Sequence, residues 1–580
     1  MSNEIWAKLC TEEALRNGWH LTRTDTQTDF IEEPFAKETF AYFVDENIRE
    51  LLRALQIGDF QPHPLTRVSI PKGTLATRPG TLLSLEDRVI LFAALKLIAE
   101  PIDKQLIAEV YSYRVKKERN KSSLFYEGDA ISLPFLKSQT VKKYIDPFDP
   151  WYGLWPKFDA ISRQAFEGGE YRFMATSDIA AYFENIQLDI LRDHLNDLLP
   201  GEQKIINLFI TSFSAWTYDT AQGRRYQRGI PQGSQISSFF GNIFLKPIDE
   251  AFASLRNALD IKYYRYMDDI RIFTKSYRDA RAGVLLLDSE IRRIHLNLQT
   301  AKTRIYDEKD GEISTALIDR RLAQLEKTSA DINSIRQDAK KAKKELDFLQ
   351  VREALARVLD AEPNSSAEQK ISRARKPLRG LSDRVFRRML TQHLAIGSDA
   401  LIKRLIKELQ KNADFRLGEK LIRHAQLFPR KNIQADLLNF IQSQENVMPF
   451  QEAQILKAFR YQSRIAEEVR AYVLEKVAND QADTQVRVQG LQLIARTKTT
   501  RENINTVNEI FEKAAEIAIK KAAMLVLMRK RGKDNANFVQ KAALHPHDSV
   551  RKMGKLLRAA KNDKIVAENL LGQAFKQGDT

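Results

Sequence analysis

Four residues, Tyr266-Met267-Asp268-Asp269, constrain the fold of this 580-residue chain more than any others. They lie between two runs of β-formers, IKYYR before them and IRIF after them. Successive side chains on a strand point to opposite faces, so two adjacent acids in such a setting cannot both decorate one solvated edge. A hairpin turn resolves the conflict, because it lets one or both carboxylates reach a shared site. An ordinary Asp-Asp turn joining two strands is the competing reading.

Asp178 closes the apolar run RFMATSD and precedes the amphipathic segment IAAYFENI. A lone acid at a strand end serves equally well as a helix N-cap. Brought beside Asp268, however, its carboxylate repels its neighbour and calls for a cation between them. Hard divalent ions take oxygen ligands, and Mg²⁺ binds through a few carboxylates plus waters and substrate phosphates. In-line phosphoryl or nucleotidyl transfer uses this arrangement: one ion lowers the pKa of the attacking hydroxyl and the other steadies the leaving pyrophosphate. Between the acids lies Arg228-Gly229-Ile230-Pro231-Gln232-Gly233-Ser234. Two glycines around a proline make a tight turn that lets backbone approach a ligand. Gln232 can hydrogen-bond a sugar or base edge, and Ser234 can cap the helix that follows. Taken alone, this stretch is also an ordinary entry from loop to helix.

Around these motifs, residues 1–60 read as a helical extension, and Pro62 to Gly80 as strands or a hairpin punctuated by Pro and Gly. A helix follows Ser84. Strands are expected at 171–179, 261–267 with DIRIFT after it, and 302–306, so that 61–310 forms an α/β region whose sheet carries helices on one side. Residues 311–390 read as a helical connector with dense alternating charge. From 391 to 580, successive helices alternate with short polar breaks. An α-solenoid and a compact helical bundle both fit that pattern.

Lys and Arg number 92 against 76 Asp and Glu, a net charge of +16 that suits a polyanionic partner such as nucleic acid or an anionic membrane surface. Cys10 is the one cysteine, which excludes an internal disulfide, a CxxC pair and a thiolate-rich zinc site. The N-terminus is broken up by charged residues and does not read as a signal peptide. No apolar run approaches the ~18 residues of a membrane span. The cytoplasm is the default location.

In chain order, SDIAAYFENI, RGIPQGSQISSFFGNIFL, YRYMDDIRIF and LNLQTAKTRIY resemble the palm motifs of reverse transcriptases, over roughly residues 60–310. The resemblance implies an α/β right-hand polymerase with fingers and palm, then a helical thumb. It implies that Asp178, the Ile179 backbone carbonyl and Asp268 hold two Mg²⁺ ions (with Mn²⁺ as a stand-in), Asp269 being the neighbouring acid. Phe183 would lie under the incoming sugar and clash with a 2′-hydroxyl, favouring dNTPs. Gln232 and Gly233 would contact nucleotide and template. Lys302 would hold phosphate charge or protonate pyrophosphate. Upstream, IPKGTLATRPG and LEDRVILFAAL resemble the fingers segment of reverse transcriptases related to group II introns and retrons. Arg78, Lys72 and, in YSYRV, Arg114 would then grip the triphosphate, arginine bidentately. Arg88 opens the next helix.

Two departures stand out. No primer-grip motif is recognisable in DEKDGEISTALIDRRLAQL, and the family's FFD reads YFE, with Glu184 replacing the aspartate. No Cys/His nuclease can be built from one cysteine.

The long helical half resembles bacterial abortive-infection and other defence-associated reverse transcriptases with a C-terminal HEAT-like region. That implies RNA-directed or template-independent DNA synthesis in antiphage defence, in a bacterial cytoplasm and away from membranes. It also implies an RNA template or non-coding RNA, a DNA product that some members attach covalently to protein, and a homo-oligomer. A retroelement, retron or group II intron-like enzyme and a non-catalytic nucleic-acid scaffold are the alternatives. Among 17 tyrosines, including Tyr461 and Tyr472, the sequence selects no priming residue. Basic clusters at Lys340–Lys344, Arg373–Arg388 and Arg529–Lys533 are either phosphate-backbone contacts or solvated helix faces. KKAAMLVLMRKRGK is either a membrane-touching segment or a buried helix ending in a basic turn.

Overall fold

The computed structural model describes residues 3–25, 31, 33–63, 65–72, 76–115, 147–149, 151–219, 224–225 and 227–310. It also describes 399–562, apart from 412, 428, 431, 444–445, 447, 498–499 and 529–532. The expected connector at 311–390 and the three basic clusters, save Lys533, lie outside these residues. Two compact units divide the chain: Met1–Glu32 with Phe40–Arg67 and Pro79–Ile318, and Glu33–Thr39 with Val68–Arg78 and Asp319–Thr580. The first is mixed α/β, and the described residues that follow it are all helical.

In the first unit, helices α1 (Glu4–Leu9), α2 (Glu12–Asp25), α3 (Ala36–Tyr42) and α4 (Val44–Ile57) occupy the N-terminal stretch, α3 running on from the second unit's Glu33–Thr39. Strands β1 (Thr66–Pro71) and β2 (Thr77–Leu82) form the hairpin expected between the prolines, of which Val68–Arg78 is assigned to the second unit. Helix α5 (Leu85–Asp103) starts where Ser84 caps it, the Ser84 Oγ accepting from the Asp87 amide at 3.0 Å. Buried nearly throughout, α5 is the spine of this unit. Helix α2 runs against it so closely that a Cβ on Gly18 would sit 2.0 Å from the Val89 carbonyl oxygen.

Next come α6 (Trp151–Glu167), β3 (Phe173–Ser177), α7 (Tyr182–Asn185), α8 (Leu188–Leu198) and α9 (Gln203–Trp216). Two short strands, β4 (Tyr218–Asp219) and β5 (Arg224–Arg225), pair with each other. Then α10 (Gln235–Phe244), α11 (Lys246–Leu259), β6 (Lys262–Tyr266), β7 (Asp269–Thr274), α12 (Tyr277–Arg293) and β8 (Arg304–Asp307) complete the unit. The strands expected at 171–179 and 261–274 form within those windows, and the one expected at 302–306 forms at Arg304–Asp307, one residue past its end. They make a four-stranded sheet in the order β6-β7-β3-β8, antiparallel throughout.

Alternation sorts the sheet into two faces. Tyr263, Arg265, Ile270, Ile272, Ala175 and Ser177 share the face that joins the main core. Helix α12 packs there, its Gly283 leaving room for the Ile272 side chain, and Phe252 of α11 stacks on Tyr263 with ring centroids 4.5 Å apart. Tyr264, Arg271, Phe273, Met174 and Tyr306 share the other face. That face is covered too, against the expectation of helices on one side only: Ala165 and Phe166 of α6 cluster with Met174, Phe273 and Tyr264. A sheet apolar on both faces needs two covers, and Trp155, Phe158 and Phe166 of α6 supply the second.

In the helical stretch, the helices Phe415–Leu427, Pro449–Phe459, Thr484–Ile494, Ile517–Met528 and Asp548–Asn562 each pack against the next of this series. Those at Pro449–Phe459 and Thr484–Ile494 are buried on almost every side. Their glutamines satisfy backbone: Gln451 Nε2 donates to the Leu409 carbonyl (2.7 Å) and Gln454 Nε2 to that of Phe415 (2.9 Å). Residues 517–528 form a helix with Ile519 and Ala522–Leu527 buried, so this apolar segment is core. Tyr472 is buried as well, its hydroxyl donating to Glu452 Oε1 at 2.5 Å. Among the described residues no helix is long and apolar enough to cross a membrane.

Candidate active site

The sheet register assembles the acids. Ser177 pairs with Ile270, so continuing the β3–β7 ladder by one residue sets Asp178 opposite Asp269. Strands β6 and β7 close at Tyr266↔Asp269, leaving Met267 and Asp268 as the two-residue turn. Met267 has φ +53°, a left-handed conformation uncommon for a side chain of this size. Asp268 lies deep enough, and near enough to Asp178 to share a hydrogen bond with it, that its carboxyl is pushed up to about 7. Burial is the largest cause, followed by the charge of Asp178 and that hydrogen bond. Asp269 is also raised, mainly by burial, with the Arg271 guanidinium opposing the shift. Arg271 Nε lies 3.8 Å from Asp269, and its Nη1 bonds Asp159 of α6 at 3.2 Å. The guanidinium also lies over the Phe158 ring, 4.3 Å from its centroid.

Lys302 forms an ion pair with Asp178, and its side chain is 58% exposed against 23% for the carboxylate. Its position follows from the turn before β8: the Lys302 amide donates to the Gln299 carbonyl at 2.9 Å, and the Gln299 amide to the Asp178 carbonyl at 2.7 Å. The bridge Ile179↔Leu298 runs through the Asp178 carbonyl and the Ala180 amide, so it does not use the Ile179 carbonyl.

Among the described residues no three His, Cys, Asp or Glu side chains form a ready-made ion cage. The donor set is instead two hydrogen-bonded carboxylates, with Asp269 next in the chain. One of the two, Asp268, has its carboxyl pushed up to about 7, chiefly by burial and then by the charge of the other. A hard divalent ion fits such a set, since Mg²⁺ takes one or two carboxylates and completes its shell with water and substrate phosphate.

A buried clamp fixes the Met267-Asp268 turn, and none of its members was singled out from sequence. Arg265 is fully buried and bonds Asp249 of α11 through Nε (2.7 Å) and Nη2 (2.5 Å). Its Nη1 reaches Asn242 Oδ1 (2.8 Å) and the Met267 carbonyl (3.1 Å). Ser112 Oγ accepts from the Met267 amide at 2.9 Å and donates to Asn242 Oδ1 at 3.0 Å. Both polar groups of the strained residue are thereby held. The signal available in the sequence was polar residues in apolar surroundings: Arg265 in KYYRY, Asn242 in FFGNIF and Asp249 in KPIDEAF.

Phe183 sits beside this turn. A Cβ on Gly241 would lie 3.2 Å from its ring, 3.3 Å from that of Tyr182 and 3.5 Å from the Met267 methyl, so α10 passes closely under all three. The Phe183 carbonyl accepts from the Ile230 amide at 2.9 Å, and the Ile186 carbonyl from the Gly229 amide at 2.7 Å. Phe183 and the Gly229–Ser234 loop are therefore neighbours. Gln232 and Gly233 lie on that loop, Gly233 at φ +123° and the Gln232 carbonyl accepting from Thr81 Oγ at 3.1 Å.

The three basic residues expected from the sequence have these partners. Arg114 is held by its own segment, Nε to Asp103 Oδ1 (2.7 Å) and Nη1 to the Ile107 (2.7 Å) and Val110 (3.1 Å) carbonyls. Lys72 is exposed, its amide donating to the Ala76 carbonyl across the hairpin tip. Lys72 and Arg78 belong to the second unit, where the Arg78 guanidinium lies 4.6 Å from the centroid of Phe415.

Protein YkfC of Escherichia coli (strain K12) is 24% identical over 292 residues, which are 44% of this chain. The match spans 66% of that relative's length, just under two thirds. Among solved structures, telomerase from Candida albicans with a TWJ fragment of telomeric RNA aligns over 67% of each chain, at 11% identity and a TM-score of 0.30. Apo telomerase from Candida tropicalis aligns over 81% of this chain and 67% of its own, at 12% identity and a TM-score of 0.28. Residues 72–350 match the family described as "Reverse transcriptase (RNA-dependent DNA polymerase)", and this part of the chain is a reverse-transcriptase domain.

Proposed function

We propose that the chain is a DNA polymerase that transfers the deoxynucleotidyl group of a dNTP to a primer hydroxyl with release of pyrophosphate, directed by RNA or without a template. The observation that carries this reading is the meeting of Asp178 and Asp268 at two strand ends, sharing a hydrogen bond, within a reverse-transcriptase domain. Asp178, Asp268 and the Ile179 carbonyl would hold Mg²⁺, with Asp269 beside them. When bound, two such ions acidify the attacking hydroxyl and neutralise the departing pyrophosphate.

The chain's own groups supply the rest. Arg265, Asn242 and Ser112 keep the Met267-Asp268 turn in its strained form, so Asp268 need not reorganise. Lys302, paired with Asp178 and largely exposed, can exchange that carboxylate for a phosphate oxygen or give a proton to pyrophosphate. Phe183 offers a ring edge and no polar atom to a sugar, which disfavours a 2′-hydroxyl. Gln232 and Gly233 present an amide and a bare backbone to the nucleotide and template. We read the biological role as antiphage defence in bacteria. That rests on the pairing of a reverse-transcriptase domain with the described helices from Asp399 to Asn562, the layout of defence-associated reverse transcriptases.

The test is incorporation of labelled dNTPs by the purified full chain with Mg²⁺, on a primed RNA template and with no template. Asp268→Asn serves as control. Incorporation by the wild type should fall by at least ~10²-fold in the variant, the scale of losing a major electrostatic group. Equal incorporation by both proteins, or none by the wild type under either condition, contradicts the reading.

A further inference from the structure

We propose that Asp25, at the end of α2 and outside the matched residues 72–350, is a positioning residue for the Gly229–Ser234 loop and so for nucleotide and template binding; this rests on the polymerase reading above. Its side chain is 1% exposed and that of its partner Arg88 is 2% exposed. Asp25 Oδ2 accepts from Arg88 Nη1 at 3.0 Å and from Ser234 Oγ at 3.3 Å. Its Oδ1 accepts from the Gln235 amide at 3.0 Å. The carboxylate thus meets the first turn of α10, where backbone amides lack intrahelical acceptors and negative charge is favoured.

The loop is consequently pinned at both ends. Its start is held by the Ile186 and Phe183 carbonyls, and its end by Asp25, with Thr81 on the Gln232 carbonyl between them. Gly233, at φ +123°, carries the chain from one tether to the other. Asp25 is itself held firmly. The close approach of Gly18 to the Val89 carbonyl leaves α2 no room to rotate on α5, the helix that carries Arg88. The N-terminal helices therefore act on the nucleotide loop through one buried carboxylate.

The experiment compares steady-state dNTP incorporation by the full chain, wild type and Asp25→Asn/Arg88→Gln. The double variant removes both charges, so neither is left buried alone. Thermal melting verifies folding. The KM for dNTP should rise about tenfold with kcat changed much less, as loss of a hydrogen bond to a charged group does. In a Gln232→Ala background the same pair of substitutions should have little further effect, because residues acting through one loop are not additive. A folded double variant with unchanged KM, or an undiminished effect in the Gln232→Ala background, overturns the proposal. Should the double variant fail to fold, Ser234→Ala decides: it leaves the Asp25–Arg88 pair whole and should still raise KM about threefold, since the 3.3 Å bond from Ser234 Oγ is the longest of the contacts the carboxylate makes. Unchanged KM there also overturns it. A wild-type protein that incorporates nothing removes the polymerase reading along with this one.

Discussion

Replacing Arg265 with methionine should loosen the hairpin that presents Asp268. Methionine fills much of the same volume but makes none of the hydrogen bonds to Asp249, Asn242 and the Met267 carbonyl. Both Arg265 and Asp249 are essentially unexposed, at 0% and 1%, so the substitution strands a carboxylate in the core. Breaking a buried pair from one side costs about 3–5 kcal/mol, and the Tyr263 hydroxyl, still bonded to Asp249 at 2.8 Å, keeps the loss near the lower figure. At about 1.4 kcal/mol per factor of ten, local opening of the hairpin should become about 10²-fold more frequent. Hydrogen–deuterium exchange of peptides covering 261–274 measures this, with peptides from 484–494 as an internal reference. The double variant Arg265→Met/Asp249→Leu should regain most of the protection, because no charge is left unpaired. It should not regain dNTP incorporation, since the Met267 carbonyl still lacks its donor. Exchange across 261–274 in Arg265→Met within about threefold of wild type would refute this account of the clamp.

Three further outcomes follow from the same geometry. Phe183→Ala should raise ATP use relative to dATP, read as the ratio of their kcat/KM values; an unchanged ratio with activity retained makes Phe183 an ordinary core residue. Gly241→Ala places a methyl 3.2–3.5 Å from the Phe183 ring, the Tyr182 ring and the Met267 methyl, so it should lower incorporation and shift that same ratio while the melting temperature changes little. His63 titrates above its usual value of 6.5, chiefly through its hydrogen bond to Asp87 with burial opposing. A folded value above the unfolded one means its stabilising contribution is present at low pH and lost as pH rises through the folded value. NMR titration of the imidazole should show Asp87→Asn moving that midpoint down.

Local pattern made the strands, the acid-bearing turn and the caps at Ser84 and Ser234 legible, because each depends on residues within a few positions of it. The partners across the fold were not. Arg265 finds Ser112-bound Asn242 and Asp249 from three separate segments, and Ser112 and Asn242 stand 130 residues apart. Nothing in the periodicity of KYYRY names such partners; it marks only that an arginine faces inward. Arg114 is a second case. A basic residue after aromatics gives no sign of its protein partner, and Asp103, eleven positions earlier, meets its guanidinium. Helix α6 was not singled out in the sequence, nor was its role as cover of the second sheet face, since an amphipathic stripe does not say which surface it will meet.

The buried Asp25 carboxylate has a consequence for synthesis of the chain. Its acceptor oxygens are made 63 residues before Arg88 and 209 before Ser234. At roughly 5–20 residues per second, the wait on a ribosome is about 3–12 s for the arginine and about 10–40 s for the serine. Docking of α2 on α5 therefore completes the ion pair first, and the nascent N-terminal helices form a charged, half-finished seat. Helix α10 arrives last, with its unpaired amides turned towards that seat. Translation order thus favours one assembly order, and the nucleotide loop takes its shape only once the 209 residues from Asp25 to Ser234 have been added.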